Sequence, residues 1–467
     1  MVTSIRVRKV ISIAMVLVLT MGLITGCGGA GSSTAGSAPV SSGTPADSAS
    51  EQPVVSSDKP VEITFWSFID PEGTDSRGMA LKAILENFKR DYPHITVNVE
   101  LSAWDVLGTK FMAAHASKTA PDVTLIVHDN VGTAIQLGAL EPFENMFLND
   151  WTPEQLADIE GTFFDYASKD GNHYQFTIWG NYTGILYRED LFAQAGISLP
   201  LKTYDEFVDA AKKLTVDSDP ETGVSRYGYG GALAVERSDS QMLSHLILAL
   251  QGHLFTPEGQ AAWSTDAGIQ AMEMYVDLFN SGALPKTLLS QNIDDVYNDF
   301  AAGKYAMVNG TTVRVTKLMD NCVFDPSSVK LMPYPGFKEG EYLPCAFSSW
   351  SVGVWSGSEK KEAAGKFVEY LVNRESDAIW VEKGGQMPIL KSTIKSQKDV
   401  LNQPKNQFIL ASLAGVELNG WPQPTAYPIN GWRDDLNQAV QNVLSANMSP
   451  KDALETVEKQ FNERNVK

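Results

Sequence analysis

Val61-Glu62-Ile63-Thr64-Phe65-Trp66 opens a strand, helix, strand, helix, strand rhythm that runs to Val127, and no other feature constrains the fold as much. After this β-rich run, Leu81, Ile84, Leu85 and Phe88 recur at helical spacing within Met79 to Tyr92. Ile95 to Val99 reads as a second strand, Phe111 to Lys118 as a helix and Asp122 to Val127 as a third strand. Strands separated by helices predict an α/β lobe with a largely parallel sheet. In such sheets ligands gather beyond the carboxyl ends of the strands. That rule brings Trp66 to Asp70 and His128-Asp129-Asn130 to one crevice.

The same alternation continues downstream. Thr203-Tyr204-Asp205-Glu206 fits a capping box that opens a helix to about Leu214. Ser449-Pro450 starts another, and Ala363, Ala364, Phe367, Val368 and Leu371 form one apolar helical face. Strands are expected at Gly184 to Tyr187, Tyr305 to Val308, Val329 to Met332 and Ser351 to Trp355. No internal repeat is visible.

The first residues carry a different message. Arg6, Arg8 and Lys9 precede an uncharged run from Val10 to Thr25, which closes on Leu23-Ile24-Thr25-Gly26-Cys27. A basic start and a short apolar middle are the plan of a secretory signal; an uncleaved anchor helix is the alternative. The small pair Thr25-Gly26 before Cys27 looks like a lipobox, where the chain is cut and acyl chains such as palmitate are attached to the thiol. Each buried CH₂ would contribute roughly 0.8 kcal/mol of membrane affinity. Gly28 to about Ser57 is almost all Gly, Ser, Ala, Thr and Pro, which reads as a flexible tether with a reach of roughly 30 Å. Residues 1–26 are thus expected to be a signal peptide and 27–58 a leash holding the body at the outer face of the cytoplasmic membrane.

The remaining chain of about 440 residues suits two lobes better than one core. Its formal net charge is −19 before the three cations of the signal are lost. Such an acidic body repels phosphate backbones and anionic headgroups, which argues against nucleic acid and membrane-surface partners. With Cys27 lipidated, Cys322 and Cys345 remain, expected either as a disulfide in an exported protein or as two buried inert thiols. The six histidines show no metal-ligand spacing, so neither metal nor cofactor is expected.

Catalytic signatures are missing: no GxSxG, no GxxxxGK[ST] and no glycine fingerprint after a strand. The aromatic residues stand out instead. Trp66, Trp104, Trp179, Trp350, Trp421 and Trp432 mostly sit beside Ser, Gly, Asn or Pro, whereas Trp151, Trp263 and Trp380 lie in ordinary helical settings. A sugar ring has an apolar C–H face and a rim of hydroxyls, which suits an aromatic platform flanked by Asp, Asn or Arg.

Several segments together resemble the extracellular solute-binding proteins of ABC importers, in the cluster that contains maltose-binding protein. The most specific are Asp170-Gly171-Asn172-His173-Tyr174 through Gly184-Ile185-Leu186-Tyr187-Arg188-Glu189-Asp190-Leu191-Phe192, Leu199-Pro200 to Thr215, Gly138-Ala139-Leu140-Glu141-Pro142, and Phe300 to Met307 with Gly310. The resemblance implies two α/β lobes with ligand held between them. It sets crossings near Thr183 to Arg188, Asn309 to Val313 and Trp355 to Ser358. The N-terminal lobe would then comprise 59–185 plus 312–356, and the C-terminal lobe 186–311 plus 357–467. The family's ligand contacts fall on Trp66, Phe68, Asp70, His128, Asp129, Asn130, Trp179, Asn181, Trp350 and Trp432, with Trp104, Thr311 and Arg433 as further candidates. Maltose-type relatives place an aromatic after Asn309-Gly310 where Thr311-Thr312-Val313 stands here, so maltodextrin itself is disfavoured. The expected function is capture of a sugar or oligosaccharide by a monomer that closes on it and delivers it to an ABC permease. A secreted glycan-acting enzyme, a cell-wall-adhering lipoprotein and a binder of a non-sugar solute are the alternatives. Asp129 argues against an anionic ligand.

Overall fold

The computed structural model describes residues 59–465 apart from 160–167, 219–222, 224, 236–241, 348, 425–426 and 430. The expected signal peptide, Cys27 and tether lie outside the described residues. In the first lobe Val61–Ser67 (β1), Ile95–Leu101 (β2) and Val123–Val127 (β3) alternate with helices Ser76–Asp91 (α1) and Leu107–Ala116 (α2), and His128–Gln136 (α3) follows β3. β1 pairs in parallel with β2 and β3, Val61 opposite Ile95 and Phe65 opposite Val123. α1 forms because Asp75 caps its first turn, accepting from the backbone N–H groups of Arg77 and Gly78. Its Leu81, Ile84 and Phe88 are the buried stripe that the spacing predicts.

Phe176–Trp179 (β4) ends this passage, and the chain enters the second lobe. There Thr183–Arg188 (β5), Tyr204–Leu214 (α4), Tyr227–Gly230 (β6), Met242–Gln251 (α5), Ile293–Ala301 (α6), Tyr305–Thr311 (β7), Thr312–Met319 (α7) and Val329–Met332 (β8) build a sheet in the order β8-β5-β7-β6. Thr203 caps α4 through the Glu206 N–H, while the Glu206 carboxylate accepts from Lys202 N at 2.7 Å rather than from the cap itself.

Cys345–Phe347 (β9) precedes the return to the first lobe, where Trp350–Val354 (β10) completes the sheet order β2-β1-β3-β10-β4. β10 runs antiparallel to both neighbours, so this sheet is mixed rather than largely parallel. The reason is directional: β10 arrives from the edge where β3 and β4 end and must run against them. Lys361–Leu371 (α8) and Arg374–Glu382 (α9) cover this lobe. Gln407–Asn419 (α10) then returns toward the second lobe, Gly420–Pro422 (β11) pairs in parallel with β9, and Trp432–Ala446 (α11) and Pro450–Asn465 (α12) finish it.

Each lobe has its own main core. Phe65, Leu125, Phe176, Val352, Phe367 and Trp380 belong to the first, and Leu186, Phe207, Tyr229, Met307, Leu436 and Phe461 to the second. The fold is the expected bilobed α/β architecture, but the partition differs in two segments. Val315, Leu318, Val329, Met332 and Leu343, expected in the first lobe, pack in the second core. Ala364, Phe367, Val368, Trp380 and Leu401, expected in the second, pack in the first. The crossings therefore lie between Trp179 and Thr183, between β9 and β10, and at the start of α10, where Phe408 joins one core and Ile409 the other. Asn309 to Val313 is no crossing, because α7 packs back on the second core and β8 pairs with β5. Trp355 to Ser358 is none either, because α8 folds onto the sheet that β10 has just joined.

Cys322 and Cys345 are both free thiols, which corrects the disulfide expectation. Cys345 bonds near Tyr182, just before β5, and Cys322 feels the charge of Arg188 at the far end of β5. Burial raises the Cys345 thiol to about 12 and the Cys322 thiol to about 11, so both stay protonated.

Candidate ligand-binding cleft

The carboxyl ends of β1, β3 and β4 lie on one edge of the first sheet, beside the amino end of β10: Trp350 stands opposite both Val127 and Trp179. Across the lobe boundary, the start of β5 and the end of β7 form the facing edge, Thr183 opposite Thr311. α11 points its first turn at the same boundary.

Among the described residues, Arg433, Asp129, Gln423 and His128 link the lobes there. Arg433, in the first turn of α11, forms an ion pair with Asp129 in the first turn of α3. Gln423, with its amide oriented to satisfy both neighbours, donates to Asp129 Oδ1 at 2.7 Å and accepts from Arg433. Its backbone carbonyl stands 3.0 Å from His128 Nε2, which fixes the His128 proton on that nitrogen. Burial, and then the Arg433 charge, push the His128 imidazole down to about 3, so it is neutral. Asp129 is thus a paired carboxylate in this arrangement. Its neighbour Asn130 packs over Gly108, where a Cβ would stand 2.0 Å from the Asn130 Oδ1, and so locks α2 against α3.

Aromatic rings line the rim. Phe68 and Trp350, both half-buried, form a tilted pair with centroids 4.3 Å apart. The Arg77 guanidinium lies 5.5 Å from the Phe68 ring. Trp104, 37 % exposed, faces Arg314 of α7 in the second lobe at 5.8 Å. Arg314 is also 5.9 Å from Tyr297 and forms an ion pair with Asp294. The Tyr297 hydroxyl accepts from Thr311 N at 2.7 Å, tying α6 to the end of β7.

Other predicted residues do different work. Trp179 is fully buried, 4.9 Å from Trp380 in the first core, and Trp432 is fully buried against Phe255 in the second, so both pack rather than face a ligand. Trp66 donates from Nε1 to Glu100 at 2.8 Å, and Lys110 covers its ring at 3.8 Å. Asp70 accepts from Glu72 N at 2.9 Å and shapes the turn after β1. Asn181 is buried in the first crossing. Sequence reasoning missed Arg77, Tyr297, Arg314 and Gln423. Only Tyr297 carried a signal, at helical spacing from Ile293, Asp294 and Phe300.

Among the described residues, several buried polar atoms close to this boundary have no hydrogen-bond partner: Thr311 Oγ1, Arg433 Nε and both ring nitrogens of His245. Burial, then Arg433, hold His245 neutral, pushed down to about 3. Orphaned polar groups are costly in a dry interior. Among the described residues no cluster of His, Cys, Asp or Glu could hold a metal ion, and no helix is long and apolar enough to cross a membrane.

Two lobes, repeated crossings and a polar, aromatic-rimmed boundary define a hinged binding protein. The sequence matches the profile of the bacterial extracellular solute-binding proteins over residues 73–378, and the chain belongs to that family. It is 24 % identical to the Escherichia coli protein YcjN, named for periplasmic binding in an ABC transporter, over 70 % of this chain and 73 % of that protein. The sn-glycerol-3-phosphate-binding periplasmic protein UgpB of Shigella dysenteriae is 21 % identical over 86 % of this chain and 92 % of its own. Among solved structures, the Bdellovibrio bacteriovorus maltose/maltodextrin-binding domain bound to maltotriose superposes with a TM-score of 0.69 at 19 % identity, over 86 % of this chain and 99 % of that one. An ABC transporter solute-binding protein of Thermotoga lettingae bound with α-D-tagatose gives 0.70 at 24 %, over 87 % and 99 %. A family of binding proteins agrees with reading this chain as a receptor rather than an enzyme.

Proposed function

We propose that this chain is the substrate-binding lipoprotein of an ABC sugar importer. The observation that carries the reading is the half-buried Phe68–Trp350 pair on the first lobe with Trp104 facing the second across the boundary. Flat aromatic faces among hydrogen-bonding groups suit the C–H face and hydroxyl rim of a saccharide. The fold relatives bound to maltotriose and tagatose support the same ligand class. Hydroxyls bridging both lobes would favour the closed form by its differential affinity, and the closed body would present the sugar to a permease. No covalent step is involved.

Cys27 as the lipidated residue would keep this receptor near its permease, with the tether lifting it clear of the membrane. Labelled palmitate should enter the expressed protein and be absent from Cys27→Ala. For the ligand, a thermal-shift screen with mono- and oligosaccharides is decisive. At a concentration 100-fold above Kd a true ligand adds about 2.7 kcal/mol, which raises Tm by several degrees. A panel of saccharides that leaves Tm unchanged, beside a non-sugar solute that raises it, would reject the sugar reading.

A further inference from the structure

Three arginines from three helices stand at the lobe boundary of a chain whose net charge is −19. Arg433 is paired with Asp129 and Gln423, and Arg314 with Asp294. Arg77 differs. It is half-buried in the first turn of α1, and among the described residues its guanidinium has no hydrogen-bonded or ion-paired acceptor. The carboxylate that acts on it, Asp75, is exposed and directs Oδ1 to the backbone N–H groups of Arg77 and Gly78. Desolvation outweighs that help and holds Arg77 below its usual value, and the like charge of Arg314 on the opposite lobe adds to the penalty.

We propose that the cleft takes a saccharide bearing one anionic group, a uronate carboxylate or a phosphate ester, which Arg77 and Arg314 grip from the two lobes. The inference rests on the saccharide reading above and narrows it. Two guanidinium groups on opposite lobes oppose closure by like-charge repulsion, and an anion between them turns that repulsion into two attractions. Each guanidinium presents a planar fork that matches carboxylate or phosphate oxygens. The rings are placed to seat the sugar beside the charge: Phe68 lies under Arg77, and Trp104 and Tyr297 flank Arg314. Asp129, which on sequence alone would repel an anion, has its charge matched by Arg433.

The test compares neutral and anionic members of matched pairs on the full body: galactobiose with digalacturonate, cellobiose with cellobiouronate, and glucose with glucose 6-phosphate, read by calorimetry and thermal shift. In at least one pair the anionic member should bind about tenfold tighter or more. Arg77→Gln and Arg314→Gln should each lower the anionic member's affinity by about threefold or more beyond any change in the neutral member's. Arg77→Lys should restore part of it, and the advantage should shrink from about 20 mM to about 500 mM NaCl. The pair that shows the preference assigns carboxylate or phosphate. Equal affinity within every pair, or an Arg77→Gln variant that weakens both members alike, would overturn the anionic subsite and leave the sugar reading standing. Silence across the whole panel would reject the sugar reading and the subsite with it.

Discussion

Arg433 reaches across the lobe boundary to Asp129, and Gln423 bonds to both, so losing any one removes a partner from each of the other two. Arg433 is 8 % exposed, and truncating it would leave a carboxylate and an amide poorly solvated. Removing one partner of a buried pair costs about 3 to 5 kcal/mol. Because the Asp129 side chain is 22 % exposed, water softens the loss, and Arg433→Ala should destabilise by about 2 kcal/mol in urea unfolding. Asp129→Ala on that background should cost less than it does alone, giving a coupling of about 1 kcal/mol or more. Additive effects would show that the two side chains do not act as a pair. Sequence pointed to Asp129 through the strand end it follows, and to Arg433 only through its place beside Trp432 in the family resemblance. It could not reveal their pairing, which joins residues 304 positions apart. Trp179 and Trp432 misled for a related reason: polar neighbours along the chain say nothing of the core that tertiary packing supplies.

At the scale of elements, strands and helices were legible because each carries its own periodicity and caps. The expected strands at 184–187, 305–308, 329–332 and 351–355 lie within or overlap β5, β7, β8 and β10. The crossings were not legible in the same way. Asn309-Gly310 has the composition of a turn, yet Gly310 is in β7 because Leu186 fills the space a side chain would need, 2.2 Å from its Cβ position. Asn309 is buried there and accepts from the Tyr334 hydroxyl at 2.9 Å. α10 makes the last crossing, and its Gly415 lies against the Tyr182 ring beside the first crossing, where an added Cβ would come within 2.4 Å of Cζ. Gly415→Ala should therefore push α10 away from Tyr182 and destabilise by about 1 to 3 kcal/mol. Unchanged urea stability would mean that these two crossings are not packed as one hinge.

For the molecule as a whole, two cores joined by crossing segments and by contacts such as Asp129–Gln423–Arg433 can move as separate bodies. The repeat of sheet and helices in each lobe was readable from the alternation of strand and helix patterns. Which segments belong to which lobe was not, because the third passage, β10 to Leu401, returns to a sheet begun some 290 residues earlier. On the proposed function, a saccharide bound at the boundary would couple these bodies, and a tethered receptor would then offer a closed, loaded form to its permease. Small-angle scattering on the mature body, with and without a saccharide shown by calorimetry to bind, tests this most directly. Closure on the ligand predicts a smaller radius of gyration and a shorter maximum dimension in the bound state, reversed on removing the sugar. A saccharide that binds tightly and leaves the scattering curve unchanged would contradict ligand capture between the lobes.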